Sequence, residues 1–252
     1  MIIAVFGAAG SMGRRHIRNL TALDPEVQII AVDPLLEPVE WRNYPTVDAA
    51  IIASPYAQHL ETMTDLCYWR VPFYVEKPPV SRGQSALLAD LVDFVEEADL
   101  RCAVGFQYRW HPALAIKLWR SSRFLAQDDL LERYGPTCLE TMVSHPIDTA
   151  LYSFGAAQHV ELQSDGITTY GIIEHGNGKV SEFELYMNRS PRLSMVSNRQ
   201  EAINLYANDE MYVDALRGWL AWLATGQRDT RTATLADGLA VMRVMEQVKE
   251  IK

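Results

Sequence analysis

Three features of this 252-residue sequence predict an α/β protein with two domains. Near-continuous apolar strands alternate with amphipathic helices through residues 1–110. A glycine-rich turn joins the first strand to the first helix. After about residue 110 the runs become short and partly alternating, divided by Asp-Gly, Gly-Asn-Gly and Asn-Arg turns. The alternation predicts a doubly wound parallel sheet covered on both faces. The later pattern predicts an α+β domain over 111–252 whose strands form an antiparallel meander.

Each element has its own signal. "IIAVFG" is a short apolar run ending in glycine, and "SMGRRHIRNLTAL" has helical spacing, with Met12, His16 or Ile17, and Leu20 on one side. "VQIIAVD" and "VDAAIIAS" read as buried strands, "YAQHLETMTDLCYWR" as a helix, "VPFYVE" as a fourth strand, "SALLADLVDFVEEA" as a helix and "LRCAVGF" as a fifth strand. In the second domain "PALAIKLWRSSRFLAQ" predicts a helix, "GPTCLETMV" an extended run and "DTALYSFG" one or two helical turns closed by glycine. "HVELQSD", "ITTYGIIEH", "KVSEFELYM", "RLSMVSN" and "EAINLYA" follow as the meander. Two helices close the chain: "DEMYVDALRGWLAWLATG", stopped by Gly226, and "LADGLAVMRVMEQVKEI".

Composition narrows the function classes. A net charge of −9 with no basic patch argues against nucleic acid or an anionic membrane as partner. The three cysteines, Cys67, Cys102 and Cys138, have wide spacings that match neither a zinc site nor a disulfide framework. No metal is expected, and reduced thiols suit a cytoplasmic protein. No signal-peptide pattern or membrane-length apolar run is present.

The turn "GAAGSMG" places Gly7, Gly10, Ser11, Met12 and Gly13 between a strand and a helix. Glycine lets the backbone approach a pyrophosphate, and the helix N-terminus offers free N–H groups. The alternative is a packed turn with no ligand. Asp33 ends the second strand, 20 residues after Gly13, where a carboxylate accepts from ribose hydroxyls and repels a 2′-phosphate. NAD is therefore expected over NADP. In "FYVEKPPV", Lys77 sits at the carboxyl end of a strand, where open α/β sheets bind ligands. The alternative is a solvated surface lysine.

These motifs resemble the glucose–fructose oxidoreductase, inositol dehydrogenase and MocA family. The likeness runs through "MGRRH", "AVDP", "VDAAIIASPYAQH", "VEKPP", "VGFQYRWHPAL", "SHPIDTALYSFG" and "LADGLAVMRVMEQV". It implies a Rossmann-type N-terminal domain, a C-terminal domain on an open, mostly antiparallel sheet, and hydride transfer between NAD(P) and a hydroxyl of a sugar, inositol or nucleotide-linked sugar. By the same resemblance Lys77 binds the reacting oxygen, and His145 serves as acid/base. Ser54, Pro55 and His59 lie on the loop beside the nicotinamide, and Glu76 lies next to the cofactor. Asp148 orients substrate or caps a helix, and Arg109 falls near the interdomain cleft. Many members carry an aspartate four residues before the histidine; here Thr141 occupies that place, with Glu140 beside it as a substitute if an extended backbone shifts by one residue. Two alternatives stand beside this reading: an imine or enone reductase using the same cofactor, and a regulatory or structural paralogue that binds NAD without turnover. A homodimer or higher homo-oligomer is expected. Its contact would be a sheet face carrying Thr168, Tyr170, Ile172 and Glu174, or Phe183, Leu185 and Met187.

Overall fold

In a computed structural model the described residues are 1–37, 40–43, 46–115, 121–127, 138–165, 168–186, 192–197, 202–204 and 209–250. They form two units, Met1–Phe106 with Tyr212–Leu239, and Gln107–Met211 with Ala240–Lys252. A linear division between residues 110 and 111 assigns 212–239 to the second domain. In the structure that segment clusters with the first.

The first unit is built as its periodicity predicts. Its strands are β1 (Ile2–Phe6), β2 (Gln28–Val32), β3 (Ala49–Ile52), β4 (Phe73–Val75) and β5 (Ala103–Val104), and its helices are α1 (Ser11–Leu23), α2 (His59–Tyr68) and α3 (Ser85–Glu97). The strands lie parallel in the order β5-β4-β3-β1-β2, and a later strand, β12 (Ala233–Thr234), adds antiparallel to β5. Phe6 registers with Val32 on one side and Ile52 on the other. The chain therefore leaves β1 in opposite directions, and the gap beyond the ends of β1 and β3 is the topological switch point. On α1 the buried face is Gly13, His16, Asn19 and Leu20, so His16 rather than Ile17 takes the inner position. The core joins Ile3, Val5, Ala49, Ile51 and Tyr74 to Leu216 and Trp219 of helix α5 (Asp209–Thr225). Trp219 is fully buried, and its indole N–H donates to the Arg101 carbonyl at 2.9 Å. An aromatic anchor of this kind costs roughly 3–5 kcal/mol to truncate. Gly226 stops α5 with a φ of 74°.

The second unit departs from expectation in three places. Residues Ser121–Gln127, expected to be helical, form strand β6, while 116–120 lie outside the described residues. β6 pairs antiparallel with β10 (Arg192–Ser197) and parallel with β9 (Val180–Tyr186). Hydrogen bonding on both sides settles a short apolar run whose periodicity is ambiguous. The expected extended run is instead the start of helix α4 (Cys138–Phe154). Leu139, Met142, Val143 and Ile147 recur at helical spacing and outweigh the turn signal that precedes them. Finally, α6 (Leu235–Met245) ends early, and β13 (Lys249–Glu250) joins the sheet beside β7 (Ala157–Ser164).

The second sheet runs β11-β10-β6-β9-β8-β7-β13, with β8 at Thr168–His175 and β11 at Ala202–Asn204. β7, β8 and β9 form the expected antiparallel meander, but β6 is inserted between β9 and β10. Helix α4 packs on β8 and β9, and the face bearing Thr169, Ile173, His175, Ser181 and Phe183 is buried. The opposite face shows Tyr170, 40% exposed, among His159, Glu161, Glu174 and Glu182. It is more polar than the mixed aromatic and aliphatic surface expected from the strands.

Candidate functional site

The glycine turn sits at the switch point. Gly7 has a φ of 78°, and its N–H donates to the Val32 carbonyl at 2.9 Å. A Cβ there would lie 2.5 Å from the Ser54 nitrogen, so only glycine lets β1 and β3 close at this end. A Cβ on Gly13 would run into the Gly7 carbonyl oxygen and lie 2.8 Å from the Ala8 Cα, so Gly13 seats α1 on the turn. Gly10 differs. Its φ of −71° suits any residue, and a Cβ would meet only the Gly7 oxygen at 3.1 Å and the Ala53 oxygen at 4.0 Å. It caps α1 without a side-chain hydrogen bond, and the first turn carries no acid. The positive end of the helix, with exposed Ser11 and half-buried Met12 in its first turn, is thus left for an anion.

Asp33 is bound to this turn. One carboxylate oxygen accepts from the Ala9 N–H at 3.0 Å and the other from the Leu35 N–H at 2.9 Å. Ser54 presents a buried hydroxyl with no hydrogen-bond partner among the described residues. Pro55 follows it and opens the turn Tyr56–Gln58. An uncapped helix, an open cradle over Gly10 and an orphaned hydroxyl at the switch point together fit a dinucleotide. A cavity of about 460 Å³ lined by Met1, Asp48, Arg101 and Leu223 lies at the amino ends of the same strands. Ligands of open α/β sheets bind at the carboxyl ends, which is where the glycine turn and Lys77 are.

Among residues 73–80 every side chain is buried except that of Lys77. The Glu76 N–H donates to the Ile52 carbonyl at 2.9 Å, and Glu76 Oε1 lies 2.7 Å from His16 Nε2. His59 is buried, with Nε2 2.8 Å from the Ser54 carbonyl and Nδ1 3.0 Å from the Pro78 carbonyl. Burial holds the His59 imidazole below the usual histidine range, although its two carbonyl contacts oppose this. Glu76 and His59, both expected at the cofactor, thus make their contacts inside the protein. A Cβ on Gly105 would lie 3.2 Å from both Glu76 and Tyr74, and one on Gly238 of α6 would lie 3.0 Å from Val104 and 3.2 Å from Pro79. A capping box of Thr234 and Asp237 fixes the start of that helix. The helical spacing of α1 indicates only a packing role for His16. Its signal in the sequence is an imidazole in the apolar stripe of a helix that packs on a strand ending in glutamate.

In the second unit the turn Gln107–Trp110 meets α4. Arg109 grips Asp148 with Nε 3.0 Å from both carboxylate oxygens and Nη2 2.6 Å from Oδ1. Both side chains are buried, and the guanidinium also lies 4.8 Å from the Tyr152 ring centre. His145 is buried in the middle of α4. Its Nε2 is 3.2 Å from Gln107 Nε2, and its ring meets Tyr108 edge-on at 4.6 Å. His145, Asp148, Thr149 and Tyr152 share one face by helical spacing, and the Thr149 hydroxyl donates to the His145 carbonyl at 2.9 Å. Glu140 and Thr141 fall in the first turns of this helix, with side chains outside the described residues. Because the segment is helical, a one-residue shift would rotate Glu140 by about 100° rather than flip it across a strand. Among the described residues no group of His, Cys, Asp and Glu could hold a metal ion, and no helix is long and apolar enough to cross a membrane.

No protein-family model matches the chain, and no curated protein matches it. Solved structures do. The dehydrogenase WlbA from Thermus thermophilus, in complex with NAD and UDP-GlcNAcA, aligns with a TM-score of 0.78 at 17% identity, over 100% of this chain and 97% of that one. GenD2 from gentamicin A biosynthesis, in complex with NAD, aligns with a TM-score of 0.81 at 18% identity, over 98% and 93%. A myo-inositol dehydrogenase from Corynebacterium glutamicum aligns with a TM-score of 0.72 at 15% identity, over 97% and 94%. The chain therefore has the fold of the glucose–fructose oxidoreductase, inositol dehydrogenase and MocA-type dehydrogenases, the one its motifs resemble.

Proposed function

We propose that this protein is an NAD-dependent oxidoreductase acting on a CH–OH group of a sugar, inositol or nucleotide-linked sugar. The observation that carries the reading is the uncapped N-terminus of α1, opened by Gly10 at the switch point of the parallel sheet. Its free N–H groups bind the pyrophosphate. The remaining lone pairs of Asp33 accept from the ribose, and the Ser54 hydroxyl finds its partner on the cofactor. Arg42, which could have offset a 2′-phosphate, is paired with Glu40 and Asp65, which favours NAD over NADP. When bound, NAD supplies the hydride acceptor.

The residues of the chain do the rest. The Lys77 ammonium hydrogen-bonds the reacting oxygen and stabilises the negative charge that develops on it. His145 takes the hydroxyl proton. Arg109 and Asp148 set the position of the helix face that carries His145, and Glu140 remains a candidate for contact with substrate. The substrate class follows the names of the structures above. A homo-oligomer is part of the proposal, as is a cytoplasmic location, which suits the free buried thiols of Cys67 and Cys102.

Fluorescence titration with NAD, followed by a panel of sugars, inositols and nucleotide sugars read for NADH at about 340 nm, tests the reading. Lys77→Met should lower turnover about 100-fold without changing the thermal melt. Absence of NAD binding would refute the assignment. Binding with no turnover across the panel would favour the non-catalytic paralogue. Light scattering that gives a monomer mass would remove the oligomer.

A further inference from the structure

Lys77 is the only side chain of residues 73–80 that is not buried, and the residue on each side of it is held by a buried histidine from a different helix. His16 comes from α1, the helix that opens at the glycine turn. Its Nδ1 is buried with no partner among the described residues, and a proton there would be left without an acceptor. Nε2 therefore carries a proton and donates to Glu76 Oε1 at 2.7 Å. His59 comes from α2 and lies between two carbonyls, Nε2 facing that of Ser54 on the loop after β3 and Nδ1 that of Pro78. A neutral ring donates to one of them, and a grip on Pro78 requires that proton on Nδ1. Glu76 is also tied by its N–H to β3, and Pro79 is backed by Gly238. The main chain at Lys77 is thus joined through one imidazole to α1, the helix of the glycine turn, and through the other to α2, whose His59 ring also lies against the Ser54 carbonyl.

We propose that His16 and His59 are positioning residues: they hold Glu76 and Pro78 so that the Lys77 ammonium is fixed relative to the cofactor-binding turn. This rests on the role given to Lys77 above. A displacement of about 1 Å at such a group costs about 100-fold in rate, so loss of either grip should be visible in hydride transfer while NAD affinity is kept.

The two histidines use different ring nitrogens toward the lysine turn, and this sets up a crossed test. A glutamine amide nitrogen lies where Nε2 of histidine lies, and an asparagine amide nitrogen where Nδ1 lies. His16→Gln should retain the bond to Glu76, and His16→Asn should lose it. His59→Asn should retain the bond to Pro78, and His59→Gln should lose it. The first readout is independent of substrate. The chain has five lysines, so reductive ¹³C-methylation gives a simple spectrum in which Lys77→Arg identifies the Lys77 signal. That signal should move in His16→Asn and His59→Gln, and hold in His16→Gln and His59→Asn, while the other lysine signals stay in place. The second readout is single-turnover hydride transfer on a substrate from the panel, expected to fall about 100-fold in the same two variants. Thermal melts identify any variant that fails to fold, and the retained-bond partner at each site remains as the comparison. An unmoved Lys77 signal and normal transfer in folded His16→Asn and His59→Gln overturn the proposal. So does an equal effect of Asn and Gln at each site, which is what a merely structural role predicts. If Lys77→Met itself leaves transfer unchanged, the catalytic reading has failed instead, and the Lys77 signal still decides whether the histidines hold the turn.

Discussion

Substituting alanine at Gly10 and at Gly13 separates a ligand cradle from a packing turn. At Gly13 the new Cβ overlaps the Gly7 carbonyl oxygen and lies 2.8 Å from both the Gly7 carbon and the Ala8 Cα. All three are backbone atoms and cannot rotate away. Helix α1 would have to withdraw from the turn, loosening the packing of His16 and Leu20, and the cost should be about 3 kcal/mol, the upper end of what overpacking costs. At Gly10 the backbone is already in an ordinary region, and the nearest atom to a Cβ is a single oxygen at 3.1 Å. The poorer N-cap costs up to about 1 kcal/mol, and the stiffer unfolded chain returns about 0.4–1 kcal/mol. Stability should therefore hardly change. In the proposed binding mode the methyl group would crowd a pyrophosphate held at the N–H groups of α1. Losing one hydrogen bond to a charged pyrophosphate costs about 1.5–3 kcal/mol, which is roughly 10- to 100-fold in NAD affinity. Thermal melts and fluorescence titration with NADH measure the two effects. Gly13→Ala should melt early, and Gly10→Ala should melt normally and bind poorly. A Gly10→Ala protein that binds as well as the parent would show that the turn only packs.

Four other outcomes are expected. Asp148→Asn leaves the buried Arg109 without its charge partner and should cost about 3–5 kcal/mol in urea unfolding, whereas Arg109→Met with Asp148→Leu should cost far less; equal losses would mean that the pair is not the buried ion pair seen here. Asp33→Ser should weaken NAD and raise NADP relative to it in paired titrations, and an unchanged ratio would remove Asp33 from cofactor choice. Burial lowers His59 in the fold, so the unfolded chain takes up that proton first; this contribution is complete above the unfolded value of about 6.5 and is lost as the pH falls through it. Urea midpoints of the parent should therefore decline more steeply than those of His59→Asn between about pH 7 and 5, and parallel curves would contradict the assignment. Burial pushes the Cys67 thiol up to about 11 and Cys102 higher still, so in a Cys138→Ser background neither should react with a thiol reagent near pH 8 until the protein unfolds.

The first unit was legible in the sequence because its signals are local. A buried parallel strand is an apolar run, a turn that must pass close to another backbone needs glycine, and a lysine after such a strand stands at the carboxyl end of the sheet wherever else the chain goes. β1 to β5, the three helices between them, the glycine turn and the location of Asp33 and Lys77 all follow from stretches of fewer than about 20 residues. Whether a side chain faces ligand or protein is not local. Glu76 meets His16 across 60 positions, Arg109 meets Asp148 across 39, and His59 meets Pro78 across 19. Nothing within any one of these segments indicates that the partner is there. The same holds for β6, where a run that could be helix or strand was decided by β9 and β10 on either side. It holds again for residues 212–239, which return to the first unit because Leu216 and Trp219 complete its core. A short apolar run or a charged side chain has several local states of similar free energy. Burial against a distant partner, which removes apolar surface from water and satisfies polar groups that would otherwise be stranded, selects one of them.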